Sequence, residues 1–254
     1  MSGASTTPAA AGEAMARWLE WLGDLATYRP GDFLMFSPRT YWRLFELHNE
    51  AWWPLPWLLP AIGAAMLAWA WRGGDAARRA GALALAAASG FVGWAFMLER
   101  YAPVNWAATG LAVLWGALCL SLLALAASGQ VRVGRGGPRR RAATVLVFWA
   151  LLGQPLLAPL AGRPLAQAEV FGLAPDPTAI AVIAWLLAGS MPARGAVVWA
   201  WRTAWALAAG ACLIGAATLA VLDEWQAGVP LAAAVAGLVL ARARPRPPGV
   251  SPGP

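Results

Sequence analysis

A small set of polar residues could carry chemistry: His48, Asn49, Glu50, Glu99, Arg100, Tyr101, Asn105, Gln154, Asp176, Thr178 and Asp223. Carboxylates held at the ends of apolar helices can bind a cation or carry a proton. His48, two residues from Glu50, offers a weak acid–base pair. Gln154-Pro155 and Pro159 interrupt an otherwise apolar run; proline removes a backbone donor, so freed carbonyls and the Gln154 amide can line a polar cavity. A structural reading stands beside each functional one. Asp176-Pro177-Thr178 has the form of an N-cap, an N1 proline and a first-turn residue, Asn105 can cap a helix, and Glu99 can pair with Arg100.

Established catalytic patterns are missing from the sequence: no Ser/His/Asp order, no HExxH and no glycine-rich phosphate loop. A lone histidine excludes a multi-His metal centre. Cys119 and Cys212 lie inside uncharged apolar runs and read as small buried hydrophobes, not as a disulfide framework or zinc site. No catalytic residue, metal or cofactor is expected.

The elements that must position the polar set follow from composition. Of 254 residues, 60% are hydrophobic and 12% charged, about half the ~25% charged share of soluble domains. The solvent that makes such a surface tolerable is lipid. All 19 basic residues are Arg, and the formal net charge is +7. They fall between apolar runs, where membrane orientation accounts for them, so nucleic-acid binding is not expected.

A helix needs ~20 apolar residues to cross the hydrocarbon core. Uncharged runs of that order are Ala51–Trp71, Ala80–Leu98, Tyr101–Val131 (helix about Pro103 to Ala127), Ala142–Gly162, Pro177–Ala193, Thr203–Leu222 and Trp225–Ala241. The expectation is therefore an all-α bundle of about seven spans, the fifth and seventh being shortest. Arg202 is assigned to the membrane boundary, where its head can snorkel to water. Arg accumulates in alternate loops: Arg72, Arg78 and Arg79; then Arg132, Arg135, Arg139, Arg140 and Arg141; then Arg194 and Arg202; then Arg242, Arg244 and Arg246. Positive loops stay inside, so the C-terminus is expected in the cytoplasm and the N-terminus outside. Trp69-Ala-Trp71 and Trp199-Ala-Trp201 then fall at the inner surface. The polar set, with Glu46 and Glu224, falls at the outer one.

Three regions result: an N-terminal segment 1–50, the bundle 51–241 and a disordered Arg/Pro-rich tail 242–254. Within the first, Met15, Trp18, Leu19, Leu22, Leu25 and Ala26 recur at helical spacing opposite Glu13, Arg17, Glu20 and Asp24, which predicts an interfacial amphipathic helix. A second interfacial helix is expected from Ser37-Pro38 through Tyr41, Trp42, Leu44 and Phe45.

Several segments resemble an uncharacterised bacterial multi-pass membrane-protein family, a domain of unknown function often labelled "MFS transporter permease". They are Asp32-Phe-Leu-Met-Phe-Ser-Pro-Arg-Thr-Tyr-Trp-Arg-Leu-Phe-Glu-Leu-His-Asn49, Trp53-Pro54, Arg100-Tyr101-Ala-Pro-Val-Asn105-Trp106 and Phe171-Gly-Leu-Ala-Pro-Asp-Pro-Thr178. His48 stands where the resemblance implies an aromatic such as Tyr. The resemblance implies a bacterial inner-membrane protein. The chain is much shorter than a twelve-helix facilitator and lacks paired halves.

The leading functional expectation is a small-solute or proton-coupled permease with an outward-facing polar vestibule, its partners being the bilayer and a small solute. The alternative is a non-transporting scaffold or sensor that binds a periplasmic protein through its outer loops and Trp18, Trp21, Trp42, Trp52 and Trp53. An intramembrane enzyme ranks last.

Overall fold

The computed structural model describes residues 36–133, 137–192 and 195–242. The helices are α1 (Pro38–Ala51), α2 (Leu55–Arg72), α3 (Asp75–Phe91), α4 (Ala107–Ser128), α5 (Pro138–Phe148), α6 (Gln154–Leu160), α7 (Pro175–Ala188), α8 (Ala196–Val221) and α9 (Gly228–Arg242). Two spans contain π-helical segments. α3 runs on as a π-helical stretch, Val92–Tyr101, and a π turn, Trp149–Gly153, joins α5 to α6. The π turn lies just before Pro155, whose missing N–H and ring cannot continue a regular α ladder.

Five of these units are long and apolar enough to cross a membrane: Asp75–Tyr101, Ala107–Ser128, Pro138–Leu160, Ala196–Val221 and Trp225–Arg242. Shorter apolar helices cover Leu55–Met66 and Pro175–Ala188, so the expected first and fifth spans are the short ones. At 14 residues, α7 is about 21 Å long, less than the ~30 Å hydrocarbon core. It is also the helix most enclosed by others, with Ile180, Val182, Ile183, Leu186 and Leu187 all buried. A helix wrapped on every side is apolar on every side. The outer helices show the reverse pattern: Val113, Leu120, Val145, Leu160 and Val239 lie on the surface. Such a surface suits lipid, and the chain is an all-α helical bundle of the integral membrane class.

Helix ends depart from the hydropathy parse for one physical reason. Charged residues can sit inside helices, whereas α3, α5 and α8 follow Gly74, Gly137 and Gly195, with φ of 113°, 100° and 85°, backbone that side chains resist. Arg78 and Arg79 therefore lie within α3. Likewise α8 begins at Ala196 instead of Thr203 and runs 26 residues, about 39 Å. Arg202 is exposed in its second turn, with its guanidinium 5.5 Å from the Trp199 ring centroid.

Besides its helices the bundle has, among the described residues, one two-residue ladder, β1 (Arg132–Val133) against β2 (Gly189–Ser190), antiparallel, tying the loops after α4 and α7 together. Two further expectations are corrected. Trp201 is not at the inner surface but is buried, its ring against Gly189. Finally, α1 does start at Ser37, whose Oγ accepts the Thr40 N–H at 3.3 Å with Pro38 at N1, yet its apolar face is not turned to lipid. Tyr41, Trp42, Leu44 and Phe45 are buried against the protein, Phe45 stacking on Phe96 at 4.9 Å. The predicted helix over 13–26 and the tail from 243 lie outside the described residues.

Candidate functional site

The loop between α6 and α7 turns inward at one end of the bundle, and it carries a carboxylate that sequence reasoning missed. Glu169 is 3% exposed, flanked by buried Ala168, Val170 and Phe171. Three elements hold it. The π turn sets Gln154 so that its Nε2 donates to Glu169 Oε2 at 2.9 Å while its Oε1 accepts Trp149 Nε1–H at 3.1 Å. From α1, Asn49 Nδ2 donates to the carbonyls of Ala166 and Ala168, both at 2.8 Å. Gln167 Nε2 donates to Glu46 Oε2 at 3.0 Å, and Glu46 also pairs with Arg43.

Arg163 anchors the same loop to the far side. It donates to Gln226 Oε1 at 3.0 Å and to the Gln167 carbonyl at 3.3 Å. Its guanidinium lies over the Trp42 ring, 3.3 Å from the centroid, while Trp42 Nε1 donates to Glu224 Oε1 at 2.8 Å. α1, the loop and the α8–α9 turn thus share one network.

Asp176 lies beneath this network, 1% exposed. It does not cap α7: the N-cap is Ala174, Pro175 is N1, and no side chain caps the helix. Thr178 supplies the local bonding instead, accepting the Gly172 N–H at 2.9 Å and donating to the Ala174 carbonyl at 2.7 Å. The Asp176 carboxylate faces Gly215 of α8, where any side chain would collide with it. A cavity of about 100 Å³ opens beside it between α4 and α8, walled by Tyr41, Tyr101, Trp115, Gly210 and Thr218. That is room for a few waters or a small ion. Glu169 and Asp176 are near enough to feel each other's charge, and both act on the buried Tyr41 hydroxyl. Glu169 Oε1 and Asp176 Oδ2 have no hydrogen-bond partner among the described residues.

Burial pushes the Glu169 carboxyl from 4.5 up to about 7, against the opposing pull of the Gln154 hydrogen bond and the Arg163 charge. Burial likewise lowers His48 from 6.5 to about 4, with Arg100 adding to the effect. The burial of Tyr41 also raises its phenol well above its ordinary value.

The other expected residues fall into separate places. His48 is 1% exposed, edge-on to Phe96 at 5.4 Å and near Phe91 and Trp52. Glu50 is exposed, because residues two apart on a helix point in different directions; the His48–Glu50 acid–base pair is overturned. Asn105 Oδ1 accepts the Ala107 N–H at 3.0 Å at the start of α4, a capping contact. Tyr101 is buried and walls the cavity, Arg100 is half-buried, and Glu99 is exposed. Asp223 occupies an exposed left-handed turn with φ 57°, a conformation Asp tolerates better than most residues. Of the outer tryptophans, Trp42 is buried while Trp53 remains exposed. Glu169 gave little signal, since a single acid in a loop of small residues reads as solvated surface. Its neighbours Gln154 and Asn49 were visible, but not the inward fold of the loop.

A scan against family models, a search of curated proteins and a search of solved structures each return no match to the chain.

Proposed function

We propose that the chain is a small proton-coupled permease in which Glu169 and Asp176 take up the coupling proton from the outer side of the bacterial inner membrane. The observation that carries this reading is the pair of unpartnered oxygens, Glu169 Oε1 and Asp176 Oδ2, on two buried carboxylates. An unpaired buried charge is costly, so such a pair holds a proton or a cation rather than two bare charges. The cavity beside Asp176 admits water or a small ion. The carboxyl end lies opposite the Arg-rich loops, and positive-inside orientation faces it outward. The resemblance to a family often labelled as permeases supports the same reading.

Proteoliposomes loaded with a pH-sensitive dye and offered small neutral and cationic solutes test it. Solute-elicited proton entry is expected, and Glu169→Gln and Asp176→Asn each abolish it while inserting normally. The absence of proton entry in the unsubstituted protein, or its persistence in both variants, overturns the proposal. The scaffold or sensor reading rests on exposed Trp53, Trp106 and Trp225 at the same end. A protein without flux that retains a periplasmic protein lost on changing these three residues to Ala favours it.

A further inference from the structure

A second, larger cavity lies away from the carboxylates, between α2, α3, α5 and α7. Its volume is about 420 Å³, within the ~300–1,000 Å³ range of small-molecule sites. One wall follows α2 from Leu55 to Met66 and another follows α3 from Ala77 to Phe91, a run of about 15–20 Å at 1.5 Å per residue. A run of that length suits an elongated apolar tail lying along the helices. Apart from Thr144 and two Arg residues, the lining is made of Leu, Ile, Val, Met, Phe and Trp side chains with Ala and Gly.

Charge is confined to one end. Arg78 of α3 and Arg140 of α5 line the cavity there; the opposite end is closed by Phe171 and Leu55. Asp75 pairs with Arg78 but is itself exposed, so it screens the site weakly. Both α3 and α5 begin at this end, at Asp75 and Pro138, and their N-terminal dipoles add further positive potential. A negatively charged headgroup is favoured over a neutral one at such an end.

We infer that this groove is a specific site for an anionic phospholipid, with one acyl chain lying between α2 and α3 and the phosphate headgroup held at Arg78 and Arg140. On the orientation proposed above, the lipid belongs to the inner leaflet. The site is independent of the proton reading, because none of the side chains that hydrogen-bond in the Glu169 network lines it.

The test is native mass spectrometry of the detergent-purified protein offered equal amounts of phosphatidylglycerol and phosphatidylcholine with the same chains. The expected result is at least a tenfold preference for phosphatidylglycerol. Arg78→Gln combined with Arg140→Gln should bring the two lipids to parity. Ala84→Leu, which fills the groove while leaving both Arg residues, should reduce retention of both. Equal retention of both lipids by the unsubstituted protein overturns the proposal and leaves only unselective filling by lipid tails. So does an unchanged preference in the double variant. Circular dichroism and monodispersity of each variant establish that it is folded before its lipids are counted.

Discussion

Glu169 and His48 lie at the same end of the bundle and respond to pH in opposite senses. Glu169 is raised from 4.5 to about 7 by burial. Between those values the folded chain holds a proton that the unfolded chain has released, so this residue's contribution to stability falls as pH rises. His48 is lowered from 6.5 to about 4 by burial. Across that window the unfolded chain holds the extra proton, and stability falls as pH drops. The two slopes oppose each other through the overlap. Removing one exposes the other. The thermal midpoint of Glu169→Gln should gain on that of the unsubstituted protein as pH rises from 4.5 to 7. His48→Phe, which keeps a ring among Phe91, Phe96 and Trp52, should gain as pH falls from 6.5 to 4. Each gap should reach at most about 3 kcal/mol. Thermal melts in detergent at several pH values measure both, and a pH-independent gap for either variant refutes the assignment of that residue.

At the level of elements, the sequence made the helices legible but not what each helix leans on. The apolar face of α1 follows from the spacing of Tyr41, Trp42, Leu44 and Phe45. Rings suited to a membrane interface are equally suited to a protein surface, and periodicity does not distinguish the two. What distinguishes them is polar pairing over long sequence distance, as in Trp42 with Glu224 and Asn49 with Ala166 and Ala168. These pairs lie 182, 117 and 119 residues apart, beyond the reach of any local pattern. The capping reading of Asp176 failed similarly, because Pro175 took the N1 position that Pro177 was assigned. The π turn was foreshadowed by Gln154-Pro155, a local signal. Asn49→Ala tests the docking of α1. It leaves the buried Ala168 carbonyl and the part-buried Ala166 carbonyl without their donor, at a cost of about 1–3 kcal/mol for the buried one. Hydrogen exchange across 161–174 should accelerate by an order of magnitude or more. Trp53→Ala, at an exposed position of the α1–α2 connection, should leave it unchanged. If α1 merely rested on lipid, Asn49→Ala would leave that exchange unchanged as well.

For the whole molecule, the separation of charge between the two ends is the property on which orientation depends. The β1–β2 ladder joins the loops after α4 and α7. Arg139 donates to the carbonyls of Leu240 and Ala241 at the end of α9, and Arg79 packs against Gly129 at the end of α4. These contacts gather Arg78, Arg79, Arg132, Arg139, Arg140, Arg141 and Arg242 at one end. Glu46, Glu169 and Glu224 meet at the other through Gln167, Arg163 and Trp42. Among the described residues, Asp75 is the acid at the Arg-rich end, and it pairs with Arg78. Arg counts along the sequence had already suggested alternating ends; the packing reaches the same division from contacts that owe nothing to hydropathy. The direction across the bilayer proposed above rests on the retention of positive loops inside. Alkaline phosphatase, which folds only after export, should therefore be inactive when fused after Gly136 in the Arg-rich loop. Fused after Gln226, beside Glu224, it should be active. Because Val133 and Gly137, which bracket the first junction, lie at the opposite end of the bundle from Gln226, equal activity at both is inconsistent with any single orientation of this fold. The reverse pattern would turn Glu169 and Asp176 toward the cytoplasm. Their proton would then be drawn from the inside, and the uptake direction proposed for them would be wrong.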